Sequence, residues 1–288
     1  MKSLFSKAAR RIFFIVFVIL VIFVSFSIYF KPADDLTAIF VDAAQGDSAV
    51  VKSRESSVLI DSGTRKNARN IKVALARLGV KTIDAAILSH PDYDHISGMA
   101  RIIQEYDVKR VVMPEINKKY LSDSTALDEL RYAVEYKNIP VKKVKAGDKL
   151  SLKDIKCEVL SPDKEYGDSN EDSAVVKLSC KGKSLLFTGD ISSVVEKDMI
   201  SAKRDLRADI LKVSHHGSAG ATSEEFLKAV KPSFSVVSVS KYNSYNLPSL
   251  EAMTRLYSQG GEIFRTDEMG SITFHIRNGE ISVESEKS

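Results

Sequence analysis

The sequence predicts an α+β fold: a sandwich of two mixed sheets covered by helices, preceded by one membrane-spanning helix. Three observations carry this. Strand-like runs occur in both halves of the chain, helical apolar spacing recurs between them, and the first thirty residues hold a long charge-free stretch. The alternation alone also suits other layerings of sheets and helices, and the motifs are what separate them. A chain of 288 residues, 44% hydrophobic and 28% charged, can bury a large core and is no collagen-like, disordered or disulfide-stapled polymer.

The N-terminal element comes first. Ile12 to Phe30 carries no charge and, as a helix, spans about 28 Å, close to the hydrocarbon thickness of a bilayer. It exceeds the roughly 7–15 residues of a secretory apolar core, and it ends in Ser27-Ile28-Tyr29-Phe30 without the small residues of a cleavage site. Residues 12–30 therefore read as an uncleaved transmembrane signal anchor. Residues 1–11 form a basic cytoplasmic flank (Lys2, Lys7, Arg10, Arg11), residues 31–36 a linker, and residues 37–288 an extracytoplasmic domain of a single-pass cell-membrane protein. Those four basic residues equal the whole net charge of +4, so the body is neutral. That argues against holding nucleic acid through a broad positive field, though not through a local basic groove.

In the body, LTAIFV (36–41), SAVVK (48–52), SVLI (57–60), AAILS (85–89) and VKRVVM (108–113) read as strands, rich in β-branched residues. Helices are expected over 67–79, where Ile71, Leu75 and Leu78 share a face, over 98–106 and over 123–137. Lys-rich strands follow. SAVVKLS (173–179) and SLLFTG (184–189) flank a hairpin signal, and then come helix 193–202, DILKVS (209–214), helix 223–230, FSVVSVS (234–240) and helix 249–258. Cys157 and Cys180 lie in strand-like runs, are too few for a disulfide framework, and are expected as buried free thiols.

Four of the five histidines fall in two short segments, each directly after an apolar strand: Ser89-His90-Pro91-Asp92-Tyr93-Asp94-His95 and the pair His215-His216. The first packs four imidazole or carboxylate groups into six residues, a set that a tight loop can point at one metal site. Two more apolar strands end in carboxylates, Leu185 to Asp190 and Val58 to Asp61. One such strand end is an ordinary turn; four in one chain are a pattern.

These motifs resemble the metallo-β-lactamase superfamily, and within it the ComEC-type domain of bacterial competence proteins. The segments Asp42-Ala43-Ala44-Gln45-Gly46-Asp47-Ser48, Leu59-Ile60-Asp61-Ser62-Gly63, His90-Pro91-Asp92-Tyr93-Asp94-His95, Asn170-Glu171-Asp172-Ser173, Leu186 to Asp190 and Lys212 to Ser218 follow its order and spacing from about Thr37 to Phe274. The resemblance implies an αββα sandwich with a two-metal site at the sheet edges. His90 and Asp92 would hold one metal, and Asp94, His95 and one of the adjacent histidines the second. The expectation takes His215 as that ligand and turns His216 toward the substrate. Asp190 would bridge the metals, and Asp94, Asp190 and His216 would be the catalytic groups. Asp61 would orient the metal loop, with Asp42, Gln45, Asp47, Asn170, Ser173 and Tyr245 lining or bracing the cleft. In Asn243-Ser244-Tyr245-Asn246-Leu247-Pro248, Leu247 stands where the family has His. A polar group that could touch a phosphate or leaving group is missing there.

Two divalent ions would lower the pKa of water and neutralise charge on substrate oxygens and leaving group. Carboxylate-rich ligation favours Mn²⁺, and Zn²⁺ also suits the donor set. The expected function is hydrolysis of a phosphodiester-containing substrate, a nucleic acid or an envelope polymer. The alternatives are a phosphocholine or teichoic-acid esterase and a catalytically idle tethered binding module. A lysine cluster (Lys142, Lys143, Lys145, Lys149, Lys153, Lys156) could follow a nucleic-acid backbone, but Asp148 and Asp154 interrupt it, as on a solvated strand face.

Overall fold

Apolar residues recur without alternation along most strands of the body, which predicts sheets buried on both faces, and the computed structural model has that arrangement. It describes residues 7–29, 33–116 and 125–287; within the first stretch, only the side chains of residues 9 and 11–21 are described. The chain divides into two units, Met1–Ala33 and Asp34–Ser288.

The first unit contains helix α1 (Lys7–Tyr29). From Ile12 to Val21 every side chain is apolar and exposed. The remainder of the expected anchor, residues 22–30, lies outside the described side chains. Among the described residues, no helix is long and apolar enough to cross a membrane.

The second unit is a two-sheet sandwich. One sheet has eight strands in the order β17 (Glu280–Ser285), β16 (Ile272–Arg277), β1 (Leu36–Phe40), β2 (Ala49–Ser53), β3 (Ser57–Ile60), β5 (Ala85–Ile87), β7 (Val111–Pro114) and β8 (Val141–Val144). The other has seven: β15 (Glu262–Arg265), β14 (Phe234–Val237), β13 (Ile210–Lys212), β12 (Lys183–Phe187), β11 (Val175–Cys180), β10 (Lys156–Ser161) and β9 (Lys149–Ser151). A short pair, β4 (Thr82–Ile83) and β6 (Asp107–Val108), stands apart.

The two-residue period of a strand sorts its side chains between layers. Ala38 and Phe40 enter the core between the sheets, whereas Ile39 and Val41 enter the core beneath the helices. On the other sheet, Leu185 and Phe187 point inward and Leu186 outward. Phe40 stacks on Phe187 at 5.6 Å between ring centroids and meets Phe274 edge-on at 5.7 Å. Helices α2 (Ala68–Arg77), α4 (Met99–Glu105) and α5 (Thr125–Tyr136) cover the first sheet. Helices α6 (Ser193–Ser201), α7 (Glu224–Val230) and α8 (Leu250–Gln259) cover the second. The last three each begin on a serine, Ser192, Ser223 or Ser249, that accepts a hydrogen bond from a first-turn N–H. Two shorter helices are α3 (Tyr93–Ile96) and α9 (Thr266–Met269).

Several expected boundaries move. VKRVVM divides into β6 and β7 around Lys109-Arg110, and DILKVS and FSVVSVS stop pairing at Lys212 and Val237, where the chain turns toward the site. The expected helix over 123–137 is described from Thr125. Of the lysine cluster, Lys142 and Lys143 lie on β8 and Lys149 on β9, the outer strands of the two sheets, while Lys156 opens β10 and Lys145 and Lys153 lie in loops; Lys149 and Lys156 stand beside Glu158. Charged side chains on an edge discourage strand addition, so this arrangement suits a solvated edge. Cys157 and Cys180 are buried and free.

Candidate metal centre

Strands β3 and β5 run parallel, as do β12, β13 and β14, so their C-terminal ends gather along one border of each sheet. A hydrogen bond from Ala174 N to Ser89 O (2.8 Å) joins the two borders. Asp61 follows β3, Ser89 and His90 follow β5, Asp190 follows β12, and His215-His216 follow β13. Strand-end placement thus collects residues far apart in sequence.

Asp61 organises the loop that carries His90 and His95. Its carboxylate accepts from Ser89 N (2.8 Å) and Ser89 Oγ (2.7 Å), and it faces His95 Nδ1 at 3.0 Å. His95 Nδ1–H therefore points to Asp61 and leaves Nε2 directed at Asp190 Oδ2, 3.4 Å away. His216 Nδ1 donates to Ser238 O (2.8 Å), leaving its Nε2 3.3 Å from Asp190 Oδ2 and 3.5 Å from Asp94 Oδ2. His90 Nδ1 lies 3.0 Å from Ser89 Oγ and 3.3 Å from Ser173 Oγ, again leaving Nε2 free.

The buried atoms His90 Nε2, His95 Nε2, His216 Nε2, Asp190 Oδ1 and Asp47 Oδ1 have no hydrogen-bond partner. Buried polar atoms almost always have one, so a converging set without partners calls for a ligand. Donor atoms of His90, His95 and Asp190 lie within 4.8 Å of one another, as do those of Asp94, His95 and His216. Imidazole nitrogen with carboxylate oxygen is the donor set of divalent transition metals, and the two groups share His95.

The electrostatics agree. Burial and the charge of His95 push His90 down to about 4, so it presents a neutral imidazole. Burial opposes protonation of His95 and His216, but the Asp190 carboxylate in front of both outweighs it. His95 is held well above the ordinary histidine range, and His216 is raised to about 10. Burial would raise Asp94, yet the facing His216 and His95 bring it to about 2, and Asp190 is lowered in the same way.

The adjacent histidines are oriented opposite to expectation. His216 is buried and inside the cluster, while His215 is 36% exposed with Nε2 3.9 Å from Asp190. The cause is local: both residues adopt left-handed backbone, φ 47° and 53°, which turns the second ring inward onto Ser238. Asp61 has the same conformation at φ 51°. Non-glycine residues held this way cost about 1–3 kcal/mol each and cluster at functional sites.

The remaining expected residues divide. Asp92 stands at the rim, with its side chain 42% exposed, Oδ2 3.9 Å from His90 Nε2 and Oδ1 accepting from Ser169 Oγ at 2.7 Å. Ser173 touches both His90 and the Asp190 backbone N–H. Asp47 is buried in an ion pair with Lys212, and its Oδ1 is 3.6 Å from His216 Nδ1. Gln45 accepts from Ser240 N, tying two loops together. Asn170 O accepts from Ser173 N. Asp42 does not join the cluster: it accepts from Ala44 N and lies 4.0 Å from Lys287. Tyr245 is 70% exposed, on the loop between β14 and α8. Leu247 packs on the core beneath α8, so the position where the family has His is used here for packing.

Sequence reasoning assigned no role to Ser89, Lys212, Ser238 or Gly46. A lone lysine in an apolar strand was the available signal for Lys212. Gly46 is required because a Cβ there would lie 2.1 Å from the Asp94 carbonyl oxygen.

Residues 41–241 match the metallo-beta-lactamase superfamily. The chain is 32% identical over 257 residues to ComE operon protein 3 of Bacillus subtilis, covering 83% of this chain and 33% of that protein. It is 27% identical over 265 residues to competence protein ComA of Neisseria gonorrhoeae, covering 91% of this chain and 35% of that one. The chain therefore spans about a third of the length of these relatives. Among solved structures, the metallo-beta-lactamase fold protein YhfI from Bacillus subtilis aligns with TM-score 0.54 at 12% identity, over 87% of this chain and 100% of that one. CmlA, a diiron beta-hydroxylase from Streptomyces venezuelae, also aligns with TM-score 0.54, at 16% identity, over 81% and 53%. The superfamily match covers the whole stretch that carries the clustered histidines and carboxylates, and with it the chain belongs to the metallo-β-lactamase superfamily, with competence proteins among its sequence relatives.

Proposed function

We propose that this protein is a membrane-anchored, outward-facing hydrolase of phosphodiester bonds that uses two divalent metal ions, Zn²⁺ or Mn²⁺. The observation that carries the reading is the set of partnerless buried atoms on His90, His95, His216 and Asp190. His90 would hold one ion with Asp92 at the rim, Asp94, His95 and His216 would hold the other, and Asp190 would serve both; His95 has a single nitrogen to give, Nε2, because its Nδ1 faces Asp61. Bound there, the ions would supply Lewis-acid polarisation of the substrate and a water of lowered pKa. Asp61 and Ser238 hold the imidazoles of His95 and His216 so that Nε2 faces inward, fixing tautomer and angle. His215, 36% exposed and 3.9 Å from Asp190, would meet the substrate. The exposed apolar side chains from Ile12 to Val21 and the basic residues before them support the anchor and its orientation.

The test is a substrate screen on the purified full chain with Mn²⁺ and Zn²⁺, covering DNA, RNA, small phosphodiesters and phosphocholine esters. Phosphodiester turnover that disappears on chelation and returns with metal is expected. Turnover confined to phosphocholine esters would replace this reading with the envelope esterase, and a protein that binds no metal would indicate an idle module.

A further inference from the structure

We propose that Ser169 is a positioning residue of the metal centre: its hydroxyl aims the Asp92 carboxylate at His90 and so sets the affinity of the ion on that side alone. The proposal rests on the two-ion reading above and needs nothing from the choice of substrate.

Asp92 stands where a carboxylate ordinarily serves a helix. It is the residue before α3, with extended backbone (φ −69°, ψ 150°), and an aspartate there usually accepts a hydrogen bond from a first-turn N–H. The Asp92 side chain makes no such bond. Its backbone carbonyl takes the amides of His95 (3.0 Å) and Ile96 (3.1 Å), and the carboxylate is engaged elsewhere. Oδ1 accepts from Ser169 Oγ at 2.7 Å, a contact across 77 residues of sequence. Oδ2 then faces His90 Nε2 at 3.9 Å. Imidazole nitrogen and carboxylate oxygen bind Zn²⁺ at about 2.0–2.2 Å, so donors at this separation stand within the span of one ion.

Ser169 is itself held. It lies on the loop between β10 and β11, which is fastened on both sides of it. Before it, Tyr166 packs on the core beneath α6 and donates its hydroxyl to Asp198 Oδ2 (3.1 Å). Around it a turn closes: Asp168 Oδ1 accepts from Asn170 N (3.0 Å), and Asp168 O from Asp172 N (3.0 Å). After it, Glu171 Oε2 accepts from Ser192 N at the start of α6 (3.1 Å), and Ser173 Oγ touches both His90 and the Asp190 N–H. The hydroxyl is thus presented from a turn fixed to the second sheet, whereas Asp92 belongs to a loop of the first. A side chain 42% exposed has other rotamers open to it in water. A fixed donor removes that freedom before any ion arrives.

The two sides of the centre depend on this contact unequally. His95 and His216 stand with Asp94 on one side, their rings already oriented by Asp61 and by the Ser238 carbonyl. His90 is the single imidazole on the other, so Asp92 is a larger share of the donors there. Groups that orient a metal ligand are typically worth about 10- to 100-fold in metal affinity. That loss falls on the His90 side when Ser169 loses its hydroxyl.

The test is Mn²⁺ binding to the chelator-stripped full chain in detergent, with free Mn²⁺ counted by electron paramagnetic resonance, and Zn²⁺ binding against a chromophoric chelator. Wild type should take up two ions. Ser169→Ala should weaken one of them about 10- to 100-fold and leave the other within about threefold. Ser169→Thr, which keeps the hydroxyl, should stay within about threefold of wild type at both. Single-ion backgrounds assign the effect: Ser169→Ala should weaken the ion that remains in His216→Ala and leave unchanged the ion that remains in His90→Ala. Thermal melting of the stripped proteins should coincide for wild type and Ser169→Ala. Wild-type affinities in Ser169→Ala, an equal loss at both ions, a threonine variant as weak as the alanine one, or a loss confined to the His90→Ala background would each overturn the proposal. With two ions bound in the wild type, those results leave the two-ion reading standing. A wild type that takes up fewer than two ions of either cation defeats that reading and the proposal with it.

Discussion

At the scale of single residues, the two adjacent histidines make the sharpest distinction. His216 is buried against Asp190 and Asp94, whereas His215 is 36% exposed. His216→Ala should lower bound metal by about one equivalent, while His215→Ala should keep its metal and lose turnover, both read by elemental analysis beside a kinetic assay. Protonation gives an independent check. Without metal, His95 and His216 carry protons at neutral pH because Asp190 faces them, and a metal must expel those protons to bind. Metal affinity should therefore rise with pH, and calorimetry in buffers of different ionisation enthalpy should register proton release. The stability of the metal-free protein should move the other way at high pH. A histidine pKa raised by folding contributes fully below its unfolded value of 6.5, and its contribution fades as pH climbs through about 10 for His216. Asp190, depressed by folding, contributes above its unfolded 3.8 and loses that contribution as pH falls through its lower folded value. Chemical denaturation of the chelated protein across pH would show both flanks.

Elements explain which parts of the site could be read in advance. His90, Asp94 and His95 share one short loop and Asp61 and Asp190 each end an apolar strand, a pattern visible in the sequence, and the structure brings these five together; Asp92, from the same loop, stands at the rim. The order of His215 and His216 was not legible, since it depends on two left-handed residues and on the Ser238 carbonyl of a different strand end. Strand ends were overestimated at Ser89, Ser214 and Ser240 for a related reason: apolar composition continues, but the backbone leaves the ladder to serve the site. Lys212 shows how buried charge escapes a reading by pattern, because its partner Asp47 lies on a loop of the opposite sheet. Lys212→Met should cost about 3–5 kcal/mol in urea denaturation by leaving Asp47 buried and unpaired. Adding Asp47→Leu should recover most of that loss. Gly46→Ala should cost about 1–3 kcal/mol, because the new methyl group would drive against the backbone carrying Asp94.

At the scale of the whole molecule, the two-sheet layering followed from runs of buried strands in both halves, and the position of the site from the parallel strand ends. Strand order did not, since β16 and β17 return to pair beside β1 across more than two hundred residues. The proposed anchor and its proposed orientation rest on the charge-free run and its basic flank. Protease applied to intact cells should remove the body and leave the first thirty residues; a body that stays intact until lysis would contradict the outward orientation. The claim on which everything else depends is that Asp190 holds two metal ions together at a hydrolytic centre. The direct test is metal content and phosphodiester turnover of wild type and Asp190→Ala, measured side by side on the same preparations. Two equivalents of divalent metal in the wild type, with metal and turnover lost together in a still-folded variant, are the predicted result. An Asp190→Ala variant that keeps its metal and full activity would contradict the account.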